Sequence, residues 1–347
     1  ELLSNTISVR LEIEDMKKKL INHDKNIELV FTYLDELMDK QENKIEVVTL
    51  IKEHMKKNSA IAMGLLFGSA IAYKIFAKKN HDEVNTDNKY ILLTGASTGI
   101  GKAIAEILAQ NNFKVFATVR KQEDGENLKK ISDNIIPVIM DVTDHASIIK
   151  AKEIVKNDLG NNKLYSIINN AGIAVGGAIE KLPINELRKQ FEVNLFGLLD
   201  TTQQFFEFLD PDNAKIINMS SIGGRIAQPL VGAYSASKHA LEALSDALRR
   251  ELLSTNIDVI VVQPGMIATP IWDKAEEIDI EQYVGTKYEK ISKNIKSIAL
   301  KGGRAGEKAE KVGQTVLNIL KRKKNKARYI VSKKPFGEVY LIRMIPD

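Results

Sequence analysis

Residues Lys89–Gly101 read KYILLTGASTGIG and run directly into Lys102–Leu108, KAIAEIL, and this stretch decides the fold. Lys89 to Thr94 is a short apolar β run, and helical spacing begins after Gly101, so a strand turns through glycines into a helix. Strand, glycine-rich turn, helix is the setting in which such a loop holds a dinucleotide. Gly95 permits the tight turn, Gly99 lets the backbone approach a pyrophosphate, and Gly101 allows the helix to pack closely on the sheet. The helix N-terminus offers free N–H groups and a positive dipole end to the phosphates. Ser97, Thr98 and Ile100 complete the candidate cofactor contacts of this turn.

Strand-like and helical stretches alternate from there on. Further strands are expected at Lys114–Val119, Ile135–Met140, Leu164–Ile168, Lys215–Met219 and Asp258–Val262. Such alternation predicts an α/β fold, a Rossmann-type doubly wound parallel sheet with helices on both faces. Its ligand crevice lies at the carboxyl ends of the strands.

Tyr234 and Lys238 stand four apart, so on a helix they share a face. A phenol is neutral near pH 7, with a reference pKa of about 10. A fixed ammonium beside it favours the phenolate and makes tyrosine a usable general acid or base. Ser221, at the end of the fifth strand, can offer its hydroxyl to the same substrate oxygen. Cofactor choice is read from the end of the second strand. An acidic residue there would bond a free ribose 2′-OH, but the sequence has Arg120, which can pair bidentately with a 2′-phosphate. Glu123 and Asp124 lie too far along the loop. NADP is therefore expected in preference to NAD.

TGASTGIG at Thr94–Gly101, NNAG at Asn169–Gly172, Asn194 in VNLFG, Ser221, Tyr234 with Lys238, and PGMIAT at Pro264–Thr269 follow one another in a familiar order. Over residues 88–347 the chain resembles the short-chain dehydrogenase/reductase family, of the type with a Ser-Tyr-Lys-Asn tetrad. Gly224-Arg225-Ile226 and the run Ala247–Leu252 resemble its retinol- and hydroxysteroid-dehydrogenase-like branch. The resemblance implies that Tyr234 exchanges a proton with the substrate oxygen while Ser221 hydrogen-bonds it. Lys238 would lower the Tyr234 pKa and hold the nicotinamide ribose, and Asn194 would anchor a water that relays protons to Lys238. It further implies that Asp141 and Val142 contact the adenine, that Asn170, Ala171 and Gly172 line the adenosine ribose, and that Ile267 and Thr269 meet the nicotinamide end. Asn169 reads as structural. A homo-oligomer is expected on the same ground.

The reaction expected is NADP(H)-dependent hydride transfer between a lipophilic alcohol and its ketone or aldehyde. A non-catalytic, membrane-tethered dinucleotide-binding scaffold is the alternative. The lid should run from Met266 to about Gly306, with Ile267, Ile271, Trp272, Ile278, Tyr283 and Tyr288 available to line it or to pack it onto the domain. That apolar and aromatic content favours a retinoid, steroid or acyl chain.

The composition, 44% hydrophobic and 27% charged over 347 residues, allows one large α/β domain and an appendage. With no cysteine, neither a disulfide nor a thiolate nucleophile is available, and the five histidines lack metal-ligand spacing. No metal is expected. The net charge of +5 is too modest to indicate nucleic acid, and Lys321–Lys326, without interleaved aromatics, reads as a solvated turn. Residues 1–58 form a charged helical segment, read as a fusion or gene-calling artefact with a natural start at Met55. Its portion Ile21–Asn43 resembles the tail of phage antirepressor-like regulators, but no DNA-binding motif accompanies it. Residues 59–79 read as an apolar anchor-like helix, with membrane association through 59–77 and the enzyme facing the cytoplasmic nicotinamide pool. Ser59–Tyr73 alone falls short of the roughly 20 residues of a usual span, so a signal peptide and a buried docking helix are the competing readings.

Overall fold

The structure is a computed structural model that describes residues 87–270 and 280–333, which belong to one unit, Asp82–Asp347. The expectations for residues 1–58 and 59–79, and for Ile271, Trp272 and Ile278 in the lid, lie outside the described residues. The glycine-turn stretch forms β1, Tyr90–Leu93, and α1, Gly99–Gln110. Five further strands coincide with the expected runs: β2 Lys114–Val119, β3 Ile135–Ile139, β4 Leu164–Asn169, β5 Lys215–Met219 and β6 Asp258–Pro264. The side chains of β4 and β5 are buried on both faces. This double burial explains why their apolar residues are not confined to alternate positions.

Between the strands run α2 Gln122–Lys129, α3 His145–Leu159, α4 Ile184–Phe191, α5 Gly197–Phe205 and α6 Gly232–Glu251. Asp144 caps α3, its carboxylate accepting from the Ala146 N–H at 2.9 Å. Beyond β6 come a short β7, Ile267–Ala268, then α7 Glu289–Arg304, β8 Glu307–Lys308 paired with β7, and α8 Ala309–Lys321. The Lys321–Lys326 run is the connection from α8 to β9, Arg328–Val331, an edge strand missing from the sequence reading. Only four residues long and half-buried, β9 carries a weak local signal, and its pairing with β6 is long-range.

The seven-stranded sheet has the order β3-β2-β1-β4-β5-β6-β9, and every neighbouring pair is parallel. The order runs outward from β1 in both directions, so the switch point lies between β1 and β4. One core face joins Ile104 and Leu108 of α1 to Val312, Val316 and Leu320 of α8 over the sheet. The opposite face gathers Ile148, Ala151 and Val155 of α3 with Phe205 of α5. Among the described residues, no helix is long and apolar enough to cross a membrane.

A buried cation sits in this frame. Lys215, 2% exposed, donates from Nζ to the Tyr165 hydroxyl at 2.6 Å, and that hydroxyl donates to the Leu320 carbonyl at 2.7 Å. Burial pushes the Lys215 amine down to about 8, with Asp258 partly opposing and Lys89 assisting. A lysine whose folded pKa lies below its unfolded value costs stability below the folded pKa, and that cost is relieved as pH rises toward the unfolded value. Stability should therefore climb between about pH 8 and 10. Lys215→Met should remove part of this rise, the remainder coming from Lys238, whose amine burial likewise brings down to about 8. It should also stabilise the protein at pH 7 by about 1–3 kcal/mol, since well-packed apolar replacements of buried charges often stabilise. Urea unfolding of both proteins across this range, below the titration of unfolded tyrosine, is the check.

Candidate active site

The carboxyl ends of β1 and β4 are tied together at the switch point. The Thr94 hydroxyl accepts from the Asn170 N–H at 2.9 Å and from the Ala171 N–H at 3.0 Å. The Asn170 side-chain amide donates to the Thr94 and Gly95 carbonyls, both at 3.0 Å. Gly95, with φ +67°, fits only because it lacks a Cβ, which would lie 2.8 Å from Ala171 Cα. A Cβ on Gly101 would run into the Gly95 carbonyl and the Asn170 amide, so this glycine serves the closure of its own turn rather than helix-on-sheet packing. Asn170 likewise spends its side chain on the turn instead of facing outward. Asn169 is structural as expected, donating to Thr202 and Asn218, each at 2.9 Å.

The remaining candidates surround this turn. Ala96 N–H donates to the Thr118 carbonyl at 2.9 Å, which sets the turn beside the end of β2. Arg120 follows two residues later and is exposed, with no ion pair among the described residues. Asp141 accepts from the backbone and hydroxyl of Thr143 at 2.9 and 2.8 Å, and Val142 packs its carbonyl against Gly197. Thr269 approaches Gly99 from the far side: a Cβ there would be 3.3 Å from Thr269 Cβ. Ile267 is 4% exposed and belongs to the core. Thr98 at the N-cap of α1 makes no side-chain cap bond. A glycine cradle that any Cβ would fill, a helix start that no side chain caps and a nearby exposed arginine fit a dinucleotide with an anionic pyrophosphate.

Ser221, Tyr234, Lys238 and Asn194 converge next to it. Ser221 begins a 3₁₀ turn, Ile222–Gly224, with its Oγ accepting from the Gly223 N–H at 3.1 Å. Its hydroxyl donates to the Pro264 carbonyl at 3.4 Å, and a Cβ at Gly223 would lie 3.5 Å from Ser221 Oγ and 3.2 Å from Tyr234 Cε1, so the two side chains flank the same glycine. Lys238 is 5% exposed and donates from Nζ to the Met219 carbonyl at 2.7 Å, while Nζ lies 5.9 Å from the centre of the Tyr234 ring. A Cβ at Gly172 would lie 3.8 Å from Nζ and 3.4 Å from Asn194 Oδ1, so the loop after β4 passes over both. Burial raises the Tyr234 pKa, and the neighbouring Ser221 hydroxyl, not Lys238, opposes the rise. The lowered phenol pKa expected from sequence is thus corrected, because spacing cannot register desolvation. Burial also brings the Lys238 amine down to about 8, partly offset by Glu242.

Asn194 stands on a π-helical turn, Glu192–Phe196, and is fully buried. Its Nδ2 donates to the Ile173 carbonyl at 3.0 Å and to Ser237 Oγ at 3.2 Å, and its Oδ1 accepts from the Ile173 N–H at 2.9 Å. The side chain grips the loop after β4 and leaves no N–H for a water. Two lid candidates act as anchors rather than lining: Tyr283 accepts from the Ala178 N–H at 3.0 Å, and Tyr288 donates to Glu180 at 2.7 Å. Thr94, which bonds the Asn170 and Ala171 N–H groups, and Glu242, whose charge faces Lys238, are contacts of the candidate residues that the sequence reading missed. Thr94 opens the TGASTGIG motif and Glu242 continues the four-residue spacing from Lys238, so both carried a signal.

Fold and site together define a dinucleotide-binding α/β oxidoreductase. The sequence matches the short chain dehydrogenase family profile over residues 89–279. It is 36% identical over 265 residues to the NADPH-dependent 3-dehydrocapnine reductase of Ornithobacterium rhinotracheale, covering 75% of this chain and 93% of that protein. The 3-ketodihydrosphingosine reductase of Bacteroides thetaiotaomicron is 34% identical over 236 residues, 67% of this chain and 84% of its own. Retinol dehydrogenase 16 of Mus musculus is 32% identical over 216 residues, 58% and 68% respectively. The chain belongs to the short-chain dehydrogenase family, in its retinol-dehydrogenase-like branch, and is an NAD(P)-dependent oxidoreductase.

Gly101→Ala tests the cradle. Overpacking of this kind costs about 1–3 kcal/mol, and each 1.4 kcal/mol is about tenfold in affinity. Titration of NAD(P)H fluorescence should show affinity lowered by about fivefold or more, whereas wild-type affinity in the variant would separate the turn from cofactor binding.

Proposed function

We propose that the chain is an NADPH-dependent reductase of a lipophilic ketone, with residues 88–347 as its catalytic domain. The observation that carries this reading is the convergence of Ser221 and Tyr234 on Gly223 beside the buried Lys238: a Cβ at Gly223 would lie 3.5 Å from Ser221 Oγ and 3.2 Å from Tyr234 Cε1. When bound, the nicotinamide supplies the hydride. Ser221 and Tyr234 hydrogen-bond the substrate carbonyl, and Tyr234 donates its proton to the oxygen. A buried phenol with a raised pKa stays protonated at neutral pH, the state required of a proton donor, and this favours the reductive direction. Lys238 keeps two N–H bonds beyond the one to Met219, enough to hold a ribose hydroxyl and supply positive charge beside the phenol as its proton leaves. Asn194 positions Ile173 and the loop beside Lys238 rather than holding a water through its side chain.

Arg120 holds the 2′-phosphate, and Gly95, Ser97, Thr98, Gly99, Ile100 and Gly101 cradle the pyrophosphate. Asp141, Val142, Ala171 and Gly172 flank the adenosine, with Ile267 and Thr269 at the nicotinamide end. Apolar side chains around the α6 start support a lipophilic substrate. Ile179 is 64% exposed and reaches Gly232, two residues before Tyr234, and Val284 is 60% exposed beyond Tyr283. Two relatives are named for 3-dehydrocapnine and 3-ketodihydrosphingosine, each oxidised at carbon 3, and with the apolar side chains above this leads us to assign a long-chain 3-ketone as the substrate class. The apolar residues 59–77 would tether this domain to a membrane, facing the cytoplasmic nicotinamide pool, and family membership supports a homo-oligomer.

NADPH consumption over 3-ketodihydrosphingosine, a ketosteroid, retinal and a short ketone tests the assignment. Selective turnover of the long-chain 3-ketone is expected, and a preference for the short ketone would overturn the substrate class. Tyr234→Phe should lose about 10²–10⁴ in kcat while cofactor affinity stays at the wild-type level; a fewfold loss would remove Tyr234 as the donor. Arg120→Ala should weaken NADPH by about one to two orders of magnitude, since a charge-assisted hydrogen bond contributes roughly 1.5–3 kcal/mol. NADH binding should be unaffected, and raised salt should erode the wild-type preference because an exposed ion pair is screened.

A further inference from the structure

Four-residue spacing continues along α6 beyond Lys238 to Glu242 and Asp246, which places all of them on one helix face. Glu242 is 8% exposed, and a buried carboxylate persists only when its oxygens are paired. Gln263 of β6 donates from Nε2 to Oε1 at 2.8 Å, and Arg328, the first residue of β9, donates from Nε to Oε2 at 2.8 Å. The same guanidinium reaches Asp246 through Nη2 at 2.8 Å, and Arg249 meets the other Asp246 oxygen at 2.7 Å. Glu242 also packs beneath the turn that follows Ser221: a Cβ at Gly224 would meet Glu242 Cγ at 3.1 Å and Ser220 Oγ at 2.7 Å.

We propose that Glu242, clamped by Arg328 and Gln263, is a positioning residue for the reaction, supplying the counter-charge to Lys238 and seating α6 against the Ser220–Gly224 turn. The inference rests on the roles given above to Lys238 and Tyr234. Lys238 is faced by the Tyr234 phenol and, among the described residues, by one acidic charge, that of Glu242. Glu242 is faced in turn by Lys238, Asp246 and Arg249 on its own helix, by Arg328 from β9, and by the neutral Gln263 from β6. Charges thus alternate from Lys238 through Glu242 to Arg328. Removing the negative member should make the Lys238 ammonium harder to keep. Removing Arg328 should make it easier, because the Glu242 charge is then less offset. The last strand of the sheet is in this way coupled to the proton-donating pair.

The test is a direct titration without cofactor or substrate. Protein labelled with ¹³Cε-lysine is followed by NMR against pH, with the Lys238 resonance assigned by its loss in Lys238→Met. Glu242→Gln preserves shape, and Gln263 Oε1, buried without a partner, can accept the new N–H if its amide rotates. The Lys238 midpoint should fall by about one to two pH units in Glu242→Gln, the size for unit charges about a helix turn apart at an effective dielectric near 20. It should rise in Arg328→Met. The alkaline limb of kcat/KM should move with it. Loosened packing alone gives no reason for opposite shifts, so unmoved midpoints, or both moving the same way, refute the proposal. Should Glu242→Gln fail to fold, Arg328→Met decides: a raised midpoint supports the inference and an unchanged one refutes it. If the midpoints move as expected while the wild type reduces no ketone, the proposed reaction fails and the role of Glu242 stands.

Discussion

The bond between the Thr94 hydroxyl and two successive N–H groups, those of Asn170 and Ala171, holds the ends of β1 and β4 in contact at the switch point. The rest of the site is arranged around that contact. It brings the loop after β4 against the glycine turn so closely that Gly95 cannot carry a side chain, and Asn170 then satisfies the turn's carbonyls. The same loop continues past Gly172 to Ile173, where Asn194 grips both the N–H and the carbonyl. The glycine turn and α6 are therefore joined through one short segment of backbone.

Burial sets the chemistry on the other side of that segment. Tyr234 and Lys238 are brought out of water together, which disfavours both the phenolate and the ammonium. A phenol that resists ionisation is poised to give a proton, and an amine near its midpoint responds to the charges around it. Lys215, elsewhere in the sheet, experiences the same desolvation, with Tyr165 as its hydrogen-bond partner among the described residues. The contrast fits the rule that burial perturbs structural lysines as well as functional ones, so a shift alone does not mark a site.

The described part of the Met266–Gly306 segment is held by polar contacts. Tyr283 receives the Ala178 N–H and stacks edge-on with Tyr288, whose hydroxyl shares Glu180 with Lys287. Such exposed ion pairs contribute little individually, whereas the buried Tyr283 contact fixes where the lid meets the domain. Ile179 and Val284 remain outward-facing at that border.

The sequence by itself determined six strands, the glycine turn and the Tyr234–Lys238 pair, because each depends on residues near in the chain: apolar runs, a required φ, a shared helix face. Boundaries agreed to within about two residues, and the Ser221 and Asn194 positions were legible from motif order. Tertiary structure alone decided what those groups experience. It set the direction of the Tyr234 pKa, turned Asn170 and Gly101 to the service of the turn, gave the Asn194 side chain to Ile173, and added β9 with Arg328 reaching back 86 positions to Glu242. Desolvation and pairing across the sheet are properties of what packs against a residue, and no local spacing encodes the neighbour that long-range folding supplies.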